Sequence, residues 1–422
     1  MNVQIGKGML TGNVDVISSK SHAHRLLIGA ALAKEASTIV VNGWSDDMEV
    51  TKNCLNALGA HIVKEGNRVA IEPIKEAAKV AVLDCGESGS TLRFLIPLVS
   101  ALGCHVVVEG RGRLPERPLD VLLVELRKKG VAVEENHLPL EISGQLESGI
   151  FTLPANVSSQ FITGLLFALP ILDGDSEIHL TTEMESRGYI NMTLEALETF
   201  GIIIEETDYG FFVKGNQTYS AKEEIFVEGD WSGAAFWCVA GGCGKEILCT
   251  GLKQDSTQGD MEILSLMEAF GATVTWEEVG VHISPNLDGL QAIDIDARQI
   301  PDLVPILCVA AATAEGTTKV YNAGRLRIKE SDRLQAMADG LSKMGVSVEE
   351  KEEEIYITGR VNPPNAVVHV DGYNDHRIVM ALAVAATVLH VPIIIEGAEA
   401  VAKSYPNFFS EFVKLGGVAD VI

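Results

Sequence analysis

Apolar positions along the chain fall into two alternating kinds of segment. One kind is apolar on every side: residues 21–34, 91–102, 160–172, 232–243, 302–314 and 377–389 are rich in Ala, Leu and Val. Helices of that kind are enclosed by other elements rather than facing water on one side. The other kind is amphipathic and ends at a glycine, at Gly59, Gly130, Gly201, Gly271, Gly345 and Gly416. The runs Leu55-Asn56-Ala57-Leu58-Gly59 and Leu266-Met267-Glu268-Ala269-Phe270-Gly271 have the same form, and a glycine after the last apolar position predicts a helix C-cap. These glycines are 71, 71, 70, 74 and 71 residues apart.

A fixed period of this length predicts stacked copies that share a core. Each copy reads as β-α-β-α-β-β. Six copies predict an α/β protein of two similar domains, each of three such units with buried helices. The sixth copy stops at Val418-Ala419-Asp420-Val421-Ile422, short of its last strand, while the chain opens with strand-like segments at 3–5 and 13–17. The N-terminus is therefore expected to complete the last unit. That assigns residues 19–229 to one domain and 1–18 with 230–422 to the other, joined by two chain crossings near Ser19 and Gly229 that act as a hinge, with the active site in the cleft between them.

Composition narrows the function classes. With 47% hydrophobic residues and 22% charged over 422 positions, the chain has ample material for large cores. A formal net charge of −25 argues against a nucleic-acid partner, which needs a broad basic face. No secretory or organellar leader is read at Met1–Gly8, and the most apolar stretch, 378–395, is broken by His390 and Pro392 and is too short to span a bilayer. A cytoplasmic protein with no membrane partner is expected. The seven cysteines are dispersed without a C-x-x-C pair or a nearby His at ligand spacing, so reduced thiols and no metal are expected.

Against the acidic background, eight cations stand in short islands: Lys20 and Arg25, Arg93, Arg117, Lys329 and Arg333, Arg377, and Lys403. Several lie where a buried helix is expected to begin. A cation there opposes the helix dipole unless an anion is bound, whereas phosphate or carboxylate at that place is favoured. Lys20-Ser21, the loop Gly86-Glu87-Ser88-Gly89-Ser90, Ser158-Ser159-Gln160, Asp230, Asp302 and Asp375-His376-Arg377 open the six buried helices. The bland alternative for each serine and aspartate is ordinary N-capping. His22, His24, Trp44 and Trp231 read as packing residues, and His376 as either packing or proton transfer.

Lys20-Ser21-(x)3-Arg25, Glu116-Arg117-Pro118, Ser158-Ser159-Gln160, Lys329-Glu330-(x)1-Asp332-Arg333 and Asn374-Asp375-His376-Arg377 together resemble the EPSP synthase family of enolpyruvyl transferases. The resemblance implies the two-domain enolpyruvyl transferase fold and a reaction that moves the enolpyruvyl group of phosphoenolpyruvate to the 5-hydroxyl of shikimate 3-phosphate, with no cofactor or metal. Carried over by motif, it implies that Lys20, Ser21, Arg25, Ser158, Ser159, Gln160, Ser186, Tyr189, Asp302 and Lys329 hold shikimate 3-phosphate. It implies that Lys20, Gly89, Arg117, Gln160, Arg333, Arg377 and Lys403 contact phosphoenolpyruvate. Asp302 is then the base, with Glu330 and Lys20 serving proton transfer, and Asp332 is structural. A monomer is expected, because the repeats close each core internally.

The chain departs from the common family pattern at Glu87 and Ser88, where many members carry Asn and Ala, and at Arg325, where some carry Asn. Two rival readings are a sister transferase acting on UDP-N-acetylglucosamine and a non-catalytic anion- or RNA-end-binding protein. The first uses a loop cysteine, and the corresponding segment Gly110–Pro118 contains none. The acidic total weighs against the second.

Overall fold

A computed structural model of the chain describes residues 1–362, 364 and 366–422. Two kinds of helix alternate as the hydrophobic pattern requires. The buried helices are α1 (Lys20–Leu32), α3 (Gly89–Ala101), α5 (Ser159–Ala168), α7 (Trp231–Cys243), α9 (Val304–Thr313) and α11 (His376–Val388); between them run α2 (Asp46–Ala57), α4 (Asp120–Arg127), α6 (Arg187–Thr199), α8 (Ile263–Phe270), α10 (Arg333–Lys343) and α12 (Phe408–Lys414). The period-setting glycines Gly59, Gly130, Gly201, Gly271, Gly345 and Gly416 follow the second set, every one with positive φ between 76° and 111°. An L side chain is strained there, which is why glycine recurs at each helix end.

Among the described residues the strands form six four-stranded sheets, one per repeat. Each sheet has the same plan, a parallel pair followed by two antiparallel pairings. A parallel pair needs a crossover connection, and the buried helix supplies it. Thus Val80–Asp84, α3 and His105–Glu109 form one such unit, and Ile150–Leu153, α5 and Ser176–Leu180 the next.

The first and fourth repeats depart from this simple order. The strand before α1, Gly12–Asp15, pairs with Ile247–Thr250 after α7, whereas the strand before α7, Glu224–Phe226, pairs with Ser37–Val40 after α1. Of the two N-terminal segments, only Val3–Ile5 completes the sixth repeat, between Ile393–Glu396 and Ala419–Val421. The other serves the fourth. Pairings between residues 186 and 235 positions apart leave no local trace, so a pattern reading cannot assign them.

The chain divides into two compact units, Lys20–Val227 and Met1–Ser19 with Glu228–Ile422. The breaks fall at 19/20 and 227/228 rather than at 18/19 and 229/230. Pairing explains the offset: Ser19 N donates to Glu228 O at 2.8 Å, and Ser18 bridges Gly229, so Ser19 and Glu228 stay with the N-terminal strands. Gln258 pins the same segment, donating to Glu228 Oε1 and to Gly229 O, both at 2.8 Å. Each unit has its own core. In Lys20–Val227 it includes Leu26, Leu95, Phe94, Leu165 and Phe167; in the other unit Phe236, Trp237, Leu307, Leu382 and Phe408, all at most 1% exposed. Helix α7 is enclosed from Trp231 to Gly242, as its all-round apolar sequence requires. No helix of the described residues is long and apolar enough to cross a membrane.

Candidate active site

In the unit Lys20–Val227, polar chemistry gathers at the first turns of α1, α3, α5 and α6. Arg25 is 1% exposed. Its Nε donates to Thr193 Oγ1 at 2.9 Å, one terminal nitrogen to Ser21 O at 2.6 Å and the other to Tyr189 O at 2.9 Å. Its guanidinium also stands 5.0 Å from the Phe94 ring centre. Thr193 is itself tied to Thr163 of α5 at 2.9 Å, so α1, α5 and α6 are laced together around this cation. Among the described residues no carboxylate meets Arg25, and burial pushes its pKa down to about 9, the neighbouring Tyr189 phenol partly offsetting this. A buried cation without a counter-charge is costly unless an anion is brought to it.

Lys20 behaves differently. Its Nζ lies 2.8 Å from Asp47 Oδ2 in the first turn of α2. The sequence reading passed over Asp47, because an acidic residue just after the cap Ser45 looks like ordinary compensation of the helix dipole. Ser158 caps α5, accepting from Gln160 N at 3.3 Å, and Ser88 caps α3, accepting from Thr91 N at 3.3 Å. The capping alternative therefore holds for both. Gln160 links α5 to α3: its Oε1 accepts from Arg93 at 3.1 Å and its Nε2 donates to Ser90 Oγ at 3.0 Å. Ser186 begins α6 at φ 57°, a left-handed conformation that costs a serine about 1 kcal/mol or more.

Gly89 lies where two guanidinium groups crowd. A Cβ there would be 2.5 Å from an Arg117 nitrogen and 2.6 Å from an Arg93 nitrogen. Glycine lets both cations lie over the first turn of α3. Gly89→Ala is therefore expected to displace Arg117 and Arg93 and to raise the KM for the anionic substrate expected at these cations by about tenfold or more, because ångström-scale misplacement of a binding group is expensive. Steady-state kinetics would check this, and an unchanged KM would show that the guanidinium groups are not the ones displaced.

In the other unit, Asp302, Lys329, Glu330, Arg333 and Arg377 come together. Helix α9 starts at Val304 with no side-chain cap, so Asp302 lies in the preceding turn and does not cap it. Instead its carboxylate accepts from Arg333 at 2.7 Å, with Arg377 at 3.3 Å and Lys329 at 3.7 Å. Arg333 is 1% exposed and every nitrogen faces a carboxylate: Nε to Asp375 at 2.8 Å, one terminal nitrogen to Asp302 and the other to Glu330 at 2.8 Å and Asp375 at 3.3 Å. Despite burial, Asp375, Glu330 and Asp302 hold its pKa above the usual arginine range. Asp375 caps α11 through Arg377 N at 2.9 Å, and Asp332 caps α10 through Gln335 N at 3.1 Å while pairing with Arg327 at 2.8 Å. Lys403 donates to Asn374 O at 2.6 Å. His376 is 2% exposed, its Nδ1 3.8 Å from Asp375.

Burial pushes the Lys329 pKa down to about 8, against the opposing pull of Asp302 and with further lowering by Arg333 and Arg325. Its ammonium is charged below that value and loses its charge as pH rises through 8. Affinity for a phosphorylated ligand should therefore weaken across pH 7.5 to 9 in a way that Lys329→Arg, which stays charged, abolishes. Binding measured by calorimetry over that range is the check; parallel pH profiles for the two proteins would contradict it.

A family model for EPSP synthase (3-phosphoshikimate 1-carboxyvinyltransferase) matches residues 5–412. The chain belongs to the EPSP synthase family. Curated relatives named 3-phosphoshikimate 1-carboxyvinyltransferase include that of Clostridium kluyveri, 43% identical over 99% of this chain and 98% of the relative, and that of Clostridium acetobutylicum, 45% identical over 98% and 97%. Among solved structures, EPSP synthase from Acinetobacter baumannii superposes with a TM-score of 0.80 at 27% identity, covering all of both chains. The enolpyruvyl transferase NikO from Streptomyces tendae shares the fold, with a TM-score of 0.80 at 17% identity over 99% of this chain and 98% of that one. The architecture of six sheets and alternating helices is thus that of the enolpyruvyl transferases.

Proposed function

We propose that this member of the EPSP synthase family transfers the enolpyruvyl group of phosphoenolpyruvate to the 5-hydroxyl of shikimate 3-phosphate, giving 5-enolpyruvylshikimate 3-phosphate and phosphate on the route to chorismate. The hydroxyl oxygen adds to C2 of phosphoenolpyruvate while C3 takes up a proton, giving a tetrahedral adduct. Loss of a proton from the new methyl group and departure of phosphate restore the double bond. The reaction balances over the two substrates, with the hydrogens at C3 exchanging through the protein's acid and base groups, and no cofactor is consumed.

Asp302 takes the hydroxyl proton. The observation that carries this role is its placement: a carboxylate that caps no helix yet is oriented by Arg333, Arg377 and Lys329 is positioned for chemistry rather than for folding. Glu330 and Lys20 exchange the proton at C3. Arg25, which no carboxylate neutralises among the described residues, serves shikimate 3-phosphate together with Ser21, Ser158, Ser159, Ser186 and Tyr189; Arg117, Gln160, Arg377 and Lys403 serve phosphoenolpyruvate beside Gly89. Arg333 reaches the phosphoenolpyruvate carboxylate by releasing Glu330, which frees that carboxyl group for proton transfer.

The protein acts as a cytoplasmic monomer without nucleic-acid or membrane partners; its net charge of −25 speaks against a nucleic-acid partner and its seven free thiols suit a reducing compartment. Sedimentation should give the mass of one chain, and a dimer mass would contradict it. The test of function is phosphate release. It should require shikimate 3-phosphate and phosphoenolpyruvate together and should not occur with UDP-N-acetylglucosamine as acceptor; binding of both substrates without release would sink the reading.

A further inference from the structure

His24 stands one helical turn after Lys20 in α1, and Thr51 one turn after Asp47 in α2. The pairs Lys20–Asp47, at 2.8 Å, and His24–Thr51, with Nδ1 2.7 Å from Oγ1, are therefore successive rungs between the two helices. The second rung continues into α3. Thr51 Oγ1 lies 2.6 Å from Thr91 Oγ1, and Thr91 Oγ1 donates to Ser88 Oγ at 2.8 Å. Ser88 caps α3 and immediately precedes Gly89. All four members of this relay, His24, Thr51, Thr91 and Ser88, are 0% exposed, so water cannot replace a missing link.

Hydrogen count sets the direction of the relay. A hydroxyl carries one hydrogen. Thr91 gives its hydrogen to Ser88, so Thr51 must donate to Thr91, and the hydrogen between His24 and Thr51 must come from Nδ1. The other ring nitrogen agrees, since Nε2 is buried with no hydrogen-bond partner among the described residues. A relay running the other way would put an N–H at that place with no acceptor, which costs more than a bare lone pair. Burial, then the nearby Lys20 and Arg25 cations, push the His24 pKa well below the ordinary histidine value, so the ring is neutral and holds a single proton. The same ring meets Phe94 of α3 edge-on, with centres 6.5 Å apart and planes at 89°. His24 thus touches α3 twice, through the two threonines and through Phe94.

We propose that His24 is a positioning residue, which through a one-way relay of Thr51, Thr91 and Ser88 fixes the first turn of α3 and so the place where Arg93 and Arg117 lie over Gly89. Aligned donors polarise one another, and a buried relay that is fully paired holds one geometry. The turn it holds carries the binding chemistry. Arg93 follows Thr91 by two residues and donates to Gln160 Oε1 at 3.1 Å, and the gap between Gly89 and the two guanidinium groups is too narrow for even a Cβ. A small drift of Ser88 therefore moves groups that are set to within an ångström.

The direction of the relay stands by itself, whereas its expected effect on phosphoenolpyruvate rests on the proposed reaction, so two readouts separate them. In protein isotope-labelled at the histidine nitrogens, with the signal assigned by its loss in His24→Gln, magnetic resonance should find a proton on His24 Nδ1 and none on Nε2. A proton on Nε2 overturns the relay. Thr51→Val keeps the shape and removes the hydroxyl that both neighbours share, and should raise the KM for phosphoenolpyruvate about tenfold with kcat within about threefold. Thr51→Ser, which keeps the hydroxyl, should return KM to within about twofold of the parent value. A role in stability alone would lower the urea midpoint of Thr51→Val and leave KM unchanged, and that result overturns the positioning role. Should Thr51→Val not fold, Thr91→Val answers the same question, because the cap from Thr91 N to Ser88 Oγ survives in it; an unchanged KM there is equally contrary. Parent protein that releases no phosphate with both substrates would indict the proposed reaction, and the proton on His24 would still decide the relay.

Discussion

Asp302→Asn is expected to lower kcat by about a thousandfold while changing the affinity for shikimate 3-phosphate only severalfold. Asn keeps the shape and an oxygen that can still accept from Arg333, whose other bonds to Asp375 and Glu330 remain. What it loses is the capacity to take a proton from the attacking hydroxyl. A binding-only role for Asp302 would produce the opposite pattern, with KM raised and kcat retained. The residue caps no helix, so any loss of stability comes from its pairing with the buried Arg333, and a urea denaturation curve on the variant separates a catalytic loss from partial unfolding. Pre-steady-state kinetics with binding measured by calorimetry on the same preparation would distinguish these outcomes.

Arg333→Leu should cost about 3–5 kcal/mol of stability in the unit formed by Met1–Ser19 and Glu228–Ile422. The wild-type guanidinium lies among three carboxylates, of which Asp375 is 0% and Asp302 13% exposed at the side chain. Leucine would fill the space but leave three negative groups facing one another. Ser331 Oγ and Arg377 N still donate to Asp375, both at 2.9 Å, and soften the loss without cancelling the charge. Protonating the stranded carboxylates relieves the repulsion, so the deficit against the parent protein should narrow from pH 7.5 toward about pH 5. Urea denaturation at both pH values is the measurement. A deficit that is small, or that grows on acidification, would mean the cluster is not held by this cation.

These two residues illustrate what a sequence can and cannot disclose. The six-fold period, the enclosed helices and the left-handed glycines were legible because each is written within a few consecutive residues: a run of Ala, Leu and Val, then an amphipathic stretch, then Gly. Cation islands were legible for the same reason. Their partners were not. Arg25 and Thr193 are far apart in the chain, as are Arg333 and Asp375, and nothing local in Lys329-Glu330-Ser331-Asp332-Arg333 announces that Arg333 is saturated with carboxylates. The exchange of strands Gly12–Asp15 and Glu224–Phe226 escaped for a related reason, since either could precede either buried helix without breaking the pattern. Capping was ambiguous in the sequence at Ser158 and at Asp302 alike. Only the start of α9 at Val304 separates the serine that caps from the aspartate that does not.

Charge balance also looks different once partners are known. Asp302, Glu330 and Asp375 match Lys329, Arg333 and Arg377 one for one, so this half of the cation set is largely neutralised from within. Arg25, by contrast, meets hydroxyl and carbonyl oxygens and no carboxylate among the described residues.

Enolpyruvyl transfer by addition and elimination is tested most directly by running the reaction in deuterium oxide and analysing the product by mass spectrometry. Because C3 of phosphoenolpyruvate passes through a methyl group, deuterium is expected in the enolpyruvyl methylene of the product, together with one phosphate released per transfer. Product whose methylene carries only protium, or phosphate released with no new ether bond, would contradict the mechanism assigned to Asp302, Glu330 and Lys20.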